Sequence, residues 1–284
     1  MKPGVGGSFR STSAAGRLKA FAAELEAAAQ ASLKMYFRYP AWLIADVLTT
    51  PAWLVVILVP ILLFLPKEQW SNPQVLSTFF WGFIFWDVVS AGLWSFGMAV
   101  RREQQMGTLE PLLLTNANRA VLFSRNFFSR TVALALSLAY VYAFFTVIFG
   151  VNPLISNPAG VAASLLLGLL ASMGFGLVYG ALVLRFKNVG PLNNVLQFVI
   201  LGLCGAFVPI TSLPEALRAV SYAIPHTYAV DLLRHYGLGT PTLLPTPQEL
   251  LLLTCYTATL LSLGFTALER VERALKRTGQ LGAY

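Results

Sequence analysis

The sequence predicts an all-α integral membrane protein with six transmembrane helices, and three observations carry that prediction. Charged residues make up 11% of the chain and hydrophobic ones 56%, against roughly 25% charge in a typical soluble domain. Six apolar runs, near 41–65, 75–100, 129–150, 159–184, 189–212 and 249–268, match the ~20 residues needed to cross the hydrocarbon of a bilayer. These runs are apolar throughout. Barrel strands would alternate polar and apolar residues over about ten positions, so helices that satisfy their own backbone hydrogen bonds are selected.

Taken in order, residues 1–16 are rich in Gly and Ser and contain no apolar core of a secretory signal, which predicts a disordered leader. Over 17–40, Leu18, Phe21, Leu25, Ala28, Ala29, Ser32 and Tyr36 recur at helical spacing, with Lys19, Glu24, Glu26 and Lys34 on the other side. With Tyr36, Phe37 and Tyr39 beside Lys34 and Arg38, this amphipathic helix suits a membrane surface, and Pro40 ends it. The six-span domain follows over 41–271. Between its fifth and sixth runs, Pro209 to Arg234 is too charged and too interrupted to cross the bilayer. Two short helices, near 214–223 and 227–237, are predicted there with a break at Pro225, forming a re-entrant hairpin over about 213–237. Residues 272–284 form a basic tail.

Orientation follows from the basic residues. Of the 20 Lys and Arg, 17 lie in 1–40, 101–130, 185–188 and 269–284, and the other connections hold only Lys67, Arg218 and Arg234. The bias predicts that both termini and the 101–130 connection are cytoplasmic. The net charge of +8 then reflects topology and attraction to anionic membrane lipids, with no nucleic-acid partner implied.

Several chemistries find no support. Cys204 and Cys255 lie inside apolar runs, and His226 and His235 have no second ligand at metal spacing, so neither a disulfide nor a metal site is indicated. The run Gly174-Phe-Gly-Leu-Val-Tyr-Gly180 superficially matches a dinucleotide loop, but it follows no strand and reads as close helix packing through Gly176 and Gly180. No Gly-x-x-x-x-Gly-Lys-Ser/Thr phosphate loop occurs, so any ATP that drives this protein binds to another chain.

Ionisable groups inside apolar runs need a partner or a function. Asp87 follows the aromatic run Phe79 to Trp86. Its carboxylate reads either as a substrate or gating contact or as a hydrogen bond to a Ser or Asn of another helix, such as Asn193 or Asn194. Asp46 lies within reach of Arg38 and reads as a surface ion pair. Trp81, Phe85 and Trp86 either pack or line a route for an amphipathic or glycan substrate.

Two polar motifs identify a family. Residues 103–115 run Glu-Gln-Gln-Met-Gly-Thr-Leu-Glu-Pro-Leu-Leu-Leu-Thr, and residues 209–234 contain Pro-x-x-x-Leu-Pro-x-x-Leu-Arg, then Pro-x-x-Tyr and a late Arg. In this order among six spans, they resemble ABC-2 type transport permeases, the membrane subunits of ATP-binding-cassette exporters, over about 17–275. The resemblance implies a coupling helix near 102–115 that meets the ATPase through Glu103, Gly107, Thr108, Leu109, Glu110 and Leu112. Apart from the resemblance, the hairpin reads as an extracellular gate or pathway element: Pro209, Pro214 and Pro225 fix its break points, Tyr228 offers an interfacial anchor, and Arg218, Glu215, Asp231 and Arg234 can pair with one another. The resemblance further implies a plasma (inner) membrane location, a second permease, identical or paralogous, and two ATPase subunits that bind ATP and Mg. Hydrophobic, lipid-like or lipid-linked glycan cargo would move outward. Asn116 stands where the family often has Pro, and Pro111 shortens the expected coupling helix.

Two other classes fit less well. An ion-coupled secondary transporter would show paired embedded carboxylates or an internal repeat, and this chain shows one embedded carboxylate, Asp87, and no repeat. An intramembrane enzyme would rest on His226 and Asp231, whose five-residue separation places them poorly on one helical face.

The basic asymmetry makes topology testable. In a background without Cys204 and Cys255, a cysteine at Gln69 or Thr242 should react with an impermeant thiol reagent applied to intact cells, and one at Gln105 should react only after the membrane is opened. The reverse pattern contradicts the orientation.

Overall fold

The computed structural model describes residues 14–108, 111, 121, 125–186 and 190–278. Within them lie α1 (Ala14–Arg38), α2 (Pro40–Phe64), α3 (Pro73–Ser90), α4 (Ala99–Gln105), α5 (Asn126–Phe149), α6 (Pro158–Phe186), α7 (Gly190–Leu203), α8 (Glu215–Tyr222), α9 (Pro225–Leu238) and α10 (Thr246–Thr278). A π-wound segment, Ala91–Gly97, continues α3 toward α4. No strand occurs among the described residues. The leader expected over 1–16 lies outside them except for its last residues, which begin α1, and the end of the tail, 279–284, also lies outside.

Local chemistry sets the helix ends. Pro40, Pro73 and Pro225 each stand at the start of a helix, where the missing amide costs no intrahelical bond. The Asn72 side chain caps α3 by accepting from the Gln74 N–H at 2.9 Å. Gly150 and Gly239, at φ 65° and 73°, close α5 and α9 in the left-handed conformation that glycine adopts without penalty.

Four helices are long and apolar enough to cross a membrane: Pro73–Gly97, Asn126–Phe149, Pro158–Val183 and Thr246–Ala274. The first and fifth expected spans correspond to shorter apolar stretches, Ala52–Phe64 and Leu192–Leu203. α7 differs most from expectation. It stops at Leu203 instead of continuing to 212, and its 14 residues reach only about 21 Å. Gly205 at φ 82° and Pro209 turn the chain there.

Side-chain pairings fix the directions. Phe80 meets Phe145 while Asn126 bonds the Ser95 carbonyl, so α3 and α5 are antiparallel. Gly92 faces Ser172 and Gly97 faces Tyr179, so α3 and α6 run in the same direction. Gly174 faces Leu260 and Gly264 faces Leu177, which makes α10 parallel to α6. The end carrying the loops after α2, α5 and α9 is called upper here, and the end carrying α4 lower.

Glycines bring three of these elements into backbone contact. A Cβ at Gly92 would lie 2.7 Å from the Ser172 carbonyl oxygen, and one at Gly180 would lie 3.0 Å from that of Gly97. Gly176 abuts the Gly92 carbonyl. Gly176 and Gly180, one helical turn apart, thus receive the π-wound segment as small residues receive a helix in a membrane bundle. Around this seam the core is aromatic, with Phe80, Trp81, Phe85, Phe96 and Tyr179 all buried.

α9 lies along α6 in the opposite direction. Its His226 bonds the Ser172 hydroxyl at 2.9 Å, while the Gly237 carbonyl accepts from the Ser156 N–H at 3.0 Å. Ser172 is 14 residues into α6, so the Pro225 end of α9 sits about 21 Å below the upper end of α6. Two bonds fasten α8 to it, Thr227 Oγ1 to the Ser221 carbonyl at 2.7 Å and the Tyr228 hydroxyl to the Tyr222 carbonyl at 2.8 Å.

The glycine seam predicts that Gly92→Val destabilises the purified protein by about 1–3 kcal/mol, because a packed interface cannot absorb the added carbons. Gly202→Ala, where nothing lies within 4 Å, should be neutral or slightly stabilising. Thermal melting in detergent reads both, and equal effects would contradict the seam.

Candidate functional site

The lower end gathers the polar residues of the first motif. α4 carries Arg101, Arg102 and Glu103, then ends at Gln105. Its exit has the hydrogen bonding of a Schellman cap: Gly107 takes φ 67°, and the Thr108 N–H reaches back to the Glu103 carbonyl at 3.0 Å. The helix expected over 102–115 is therefore interrupted at Met106 and Gly107. Gly107 is required by backbone conformation in addition to its small size, since a left-handed residue with a Cβ costs about 1–2 kcal/mol.

Glu103 points inward. It is only 8% exposed, and its carboxylate is held by the Arg125 guanidinium and by the Thr108 hydroxyl, the latter at 2.6 Å. One carboxylate thereby ties α4, the residue after the cap and the entrance of α5. Arg125 directly precedes Asn126, whose amide also bonds the Ser95 carbonyl at 3.2 Å. Both legs of the connection are fixed to the π-wound segment. Gln105, Met106 and Gly107 are exposed beside this clamp. Leu109, Glu110 and Leu112 lie outside the described residues.

The upper end holds the second motif. A cavity of about 280 Å³ is lined by Pro209, Asp231 and Arg234, with Thr78, Thr227 and Leu243 among its walls. Arg234 is 8% exposed and donates to the Ala206 carbonyl at 3.2 Å. Asp231 accepts from the Leu243 N–H at 2.7 Å. Burial pushes the Asp231 carboxyl above its ordinary range, against the opposing effect of the Leu243 amide and Arg234. Burial likewise lowers Arg234, while Asp231 opposes the shift.

Arg218 donates to the Thr211 and Leu213 carbonyls at 2.8 and 3.0 Å, and Glu215 is exposed. Among the described residues no ion pair joins Arg218, Glu215, Asp231 and Arg234. That mutual pairing is corrected: the two arginines satisfy carbonyls around a turn broken by Pro209 and Pro214, where helical partners are missing. Pro214 precedes α8 and Pro225 opens α9. Tyr228 is buried and stacks on Tyr256 at 5.9 Å.

Between the two ends lies a cavity of about 390 Å³ that includes Asp87. Its carboxylate accepts a hydrogen bond from Ser137 of α5, while among the described residues the buried Asn193 amide has no hydrogen-bond partner. Trp81 and Phe85 are core residues: Trp81 packs on Gly237 and donates to the Leu154 carbonyl at 3.2 Å, and Phe85 packs on His226. Trp86 is half-buried between Trp53, Phe198 and Phe207. Asp46 belongs to a stretch whose side chains lie outside the description.

Besides Arg125 and Ser137, three further polar residues that the sequence does not single out belong to these sites. Gln197 bridges the Trp94 indole and Ser90 at 2.8 and 2.9 Å. Arg130 lines the central cavity. Glu249, fully buried, stands in the first turn of α10 close enough to Asp231 to influence it. An acid in the first turn of an apolar helix was the available signal for Glu249.

A family model described as ABC-2 type transporter matches residues 23–237, most of the chain. Among curated proteins none matches.

The clamp predicts coupling between Glu103 and Arg125. Glu103→Ala and Arg125→Ala should each destabilise by about 1–3 kcal/mol, as for hydrogen bonds to charged groups. The double variant should lose less than the sum by about 0.5–3 kcal/mol. Strict additivity in a thermal or denaturant titration would contradict a direct pair.

Proposed function

The chain belongs to the ABC-2 type transporter family, and from that premise we propose that this permease subunit serves an exporter driven from its lower end. The family supplies the membrane component of an ABC transporter, whose ATPase is a separate partner, in keeping with the missing phosphate loop. In this reading two permeases and two ATPases form the complex, and ATP and Mg bind in the ATPases. The lower end faces the cytoplasm, both termini included, in the plasma membrane. Six crossings are counted by including α2 and α7, and α8 with α9 form a hairpin that enters from outside and returns. The depth of the Pro225 end beside Ser172 supports that hairpin.

The observation that carries the mechanism is the Glu103 clamp. A push on the exposed turn at Met106 and Gly107 meets a connection fixed at both legs, through Glu103 and Arg125, so it moves α4 and the α5 entrance together. α4 continues into the π-wound segment, and that segment rests on Gly176 and Gly180 of α6. α6 in turn carries α9 and α10. Displacement at the lower surface is thereby transmitted to the upper cavity around Asp231 and Arg234. Closure of the ATPase pair upon ATP binding would supply the push, and opening of the upper hairpin would release a hydrophobic, lipid-like or lipid-linked glycan cargo outward.

Isolation of the tagged chain from its own membranes tests this function. An ABC ATPase should co-purify, and the complex should hydrolyse ATP. Glu110→Arg should reduce the complex's ATP turnover at least tenfold while the permease stays in the membrane at normal level, because it reverses the charge of an acid that the proposed coupling sets against basic partner residues. Normal turnover with Glu110→Arg would place coupling elsewhere, and an absent ATPase would overturn the function.

A further inference from the structure

The central cavity has an ordered chemistry. Arg130 sits four residues after the start of α5, near the lower end. Ser137, bonded to Asp87, lies seven residues further along, about 10 Å deeper. The Tyr36 and Tyr140 side chains and Ser90 and Ser95 complete a polar slot. Gln197 braces one wall by holding Trp94 and Ser90 together. The Asp87 carboxylate is already engaged by Ser137. Among the described residues nothing bonds or pairs with the Arg130 guanidinium.

Thr49 of α2 lines this slot and also an open groove of about 500 Å³ formed with Ala45, Ala52, Trp53 and Val56. That groove is apolar, with Trp53 54% and Val56 61% exposed. Arg130, without a partner among the described residues, lies nearest the lower end; the hydroxyls and the engaged carboxylate lie deeper in the bundle, and the apolar groove runs beside them on α2, past Thr49 to Trp53 and Val56. A lipid in the leaflet at the lower end has the same order: phosphate, glycerol oxygens, acyl chain. Guanidinium groups take phosphate oxygens in a bidentate fork. An inorganic anion would use the mouth and leave the groove unused.

We infer that this cavity and groove bind a glycerophospholipid laterally from the lower leaflet, its phosphate on Arg130 and an acyl chain along Thr49, Trp53 and Val56. The binding stands on this geometry alone. Its role as cargo rests on the exporter reading above and names the lipid class that such an exporter would admit.

The full-length protein in detergent, titrated with dioctanoylphosphatidylglycerol, tests this, since Trp53 and Trp94 border the groove and slot and report occupancy by fluorescence. Saturable binding is expected. Dioctanoylglycerol, which lacks the phosphate, should bind at least about tenfold more weakly, as should the lipid to Arg130→Gln, because one charge-assisted contact is lost. Arg130→Lys should keep most of the affinity. Thr49→Phe, which plugs the junction and leaves Arg130 in place, should also weaken binding about tenfold, independently of how Arg130→Gln folds. Unchanged affinity in Arg130→Gln or Thr49→Phe overturns the site, and so does equal competition by inorganic phosphate, which would mean an anion site alone. If binding holds but the lipid leaves ATP turnover of the isolated complex unchanged, its role as cargo is overturned. An absent ATPase would sink the exporter reading and leave the binding result intact.

Discussion

The fold depends on one close contact, the backbone of the π-wound segment 91–97 against Gly176 and Gly180 of α6. Lipid offers helices no hydrophobic reason to associate with one another, so packing at van der Waals distance has to supply the cohesion. Glycine on both sides allows that approach. The wider π turn shifts the phase of α3 as it leaves the core, and α4 emerges with Glu103 turned toward Arg125. The aromatic core above the seam and the polar clamp below it are both set by that single junction.

Polar groups in this protein are used to hold the backbone as much as to hold one another. Arg218 and Arg234 each satisfy carbonyls around the turn between α7 and α8, and Glu103 bridges a cap and a neighbouring helix. A buried carbonyl without a donor costs free energy, so a proline-broken segment gathers donors around its loose carbonyls. The upper cavity is consequently a braced structure with a half-buried Asp231 and a buried Arg234 in its wall.

Much of this was legible in the sequence because burial in lipid leaves coarse marks. The apolar runs gave helices, and Pro225 marked the junction of α8 and α9 within a residue or two. The spacing of Gly176 and Gly180 announced a packing face. Other features depend on partners distant in sequence. That Asp87 would meet Ser137 rather than Asn193, and that Glu103 would face Arg125, follows from helix phase, which a one-residue shift at the π turn alters. α7 read as a full span because apolar residues continue to Val208, while Gly205 and Pro209 stop the helix earlier. Trp81 and Phe85 suited packing first and a pathway second, and Gly237 and His226 opposite them make them core residues.

In the proposed mechanism, movement of the ATPase enters at the turn after α4. Site-directed disulfide cross-linking within the isolated complex tests it most directly, with a cysteine at Thr108 in a chain lacking Cys204 and Cys255 and a matched cysteine on the ATPase surface. A cross-link from Thr108 whose yield changes when ATP is added is expected, and none from a cysteine at Ser71 on the opposite end. A cross-link from Ser71, or none from Thr108 with any ATPase position, would contradict it.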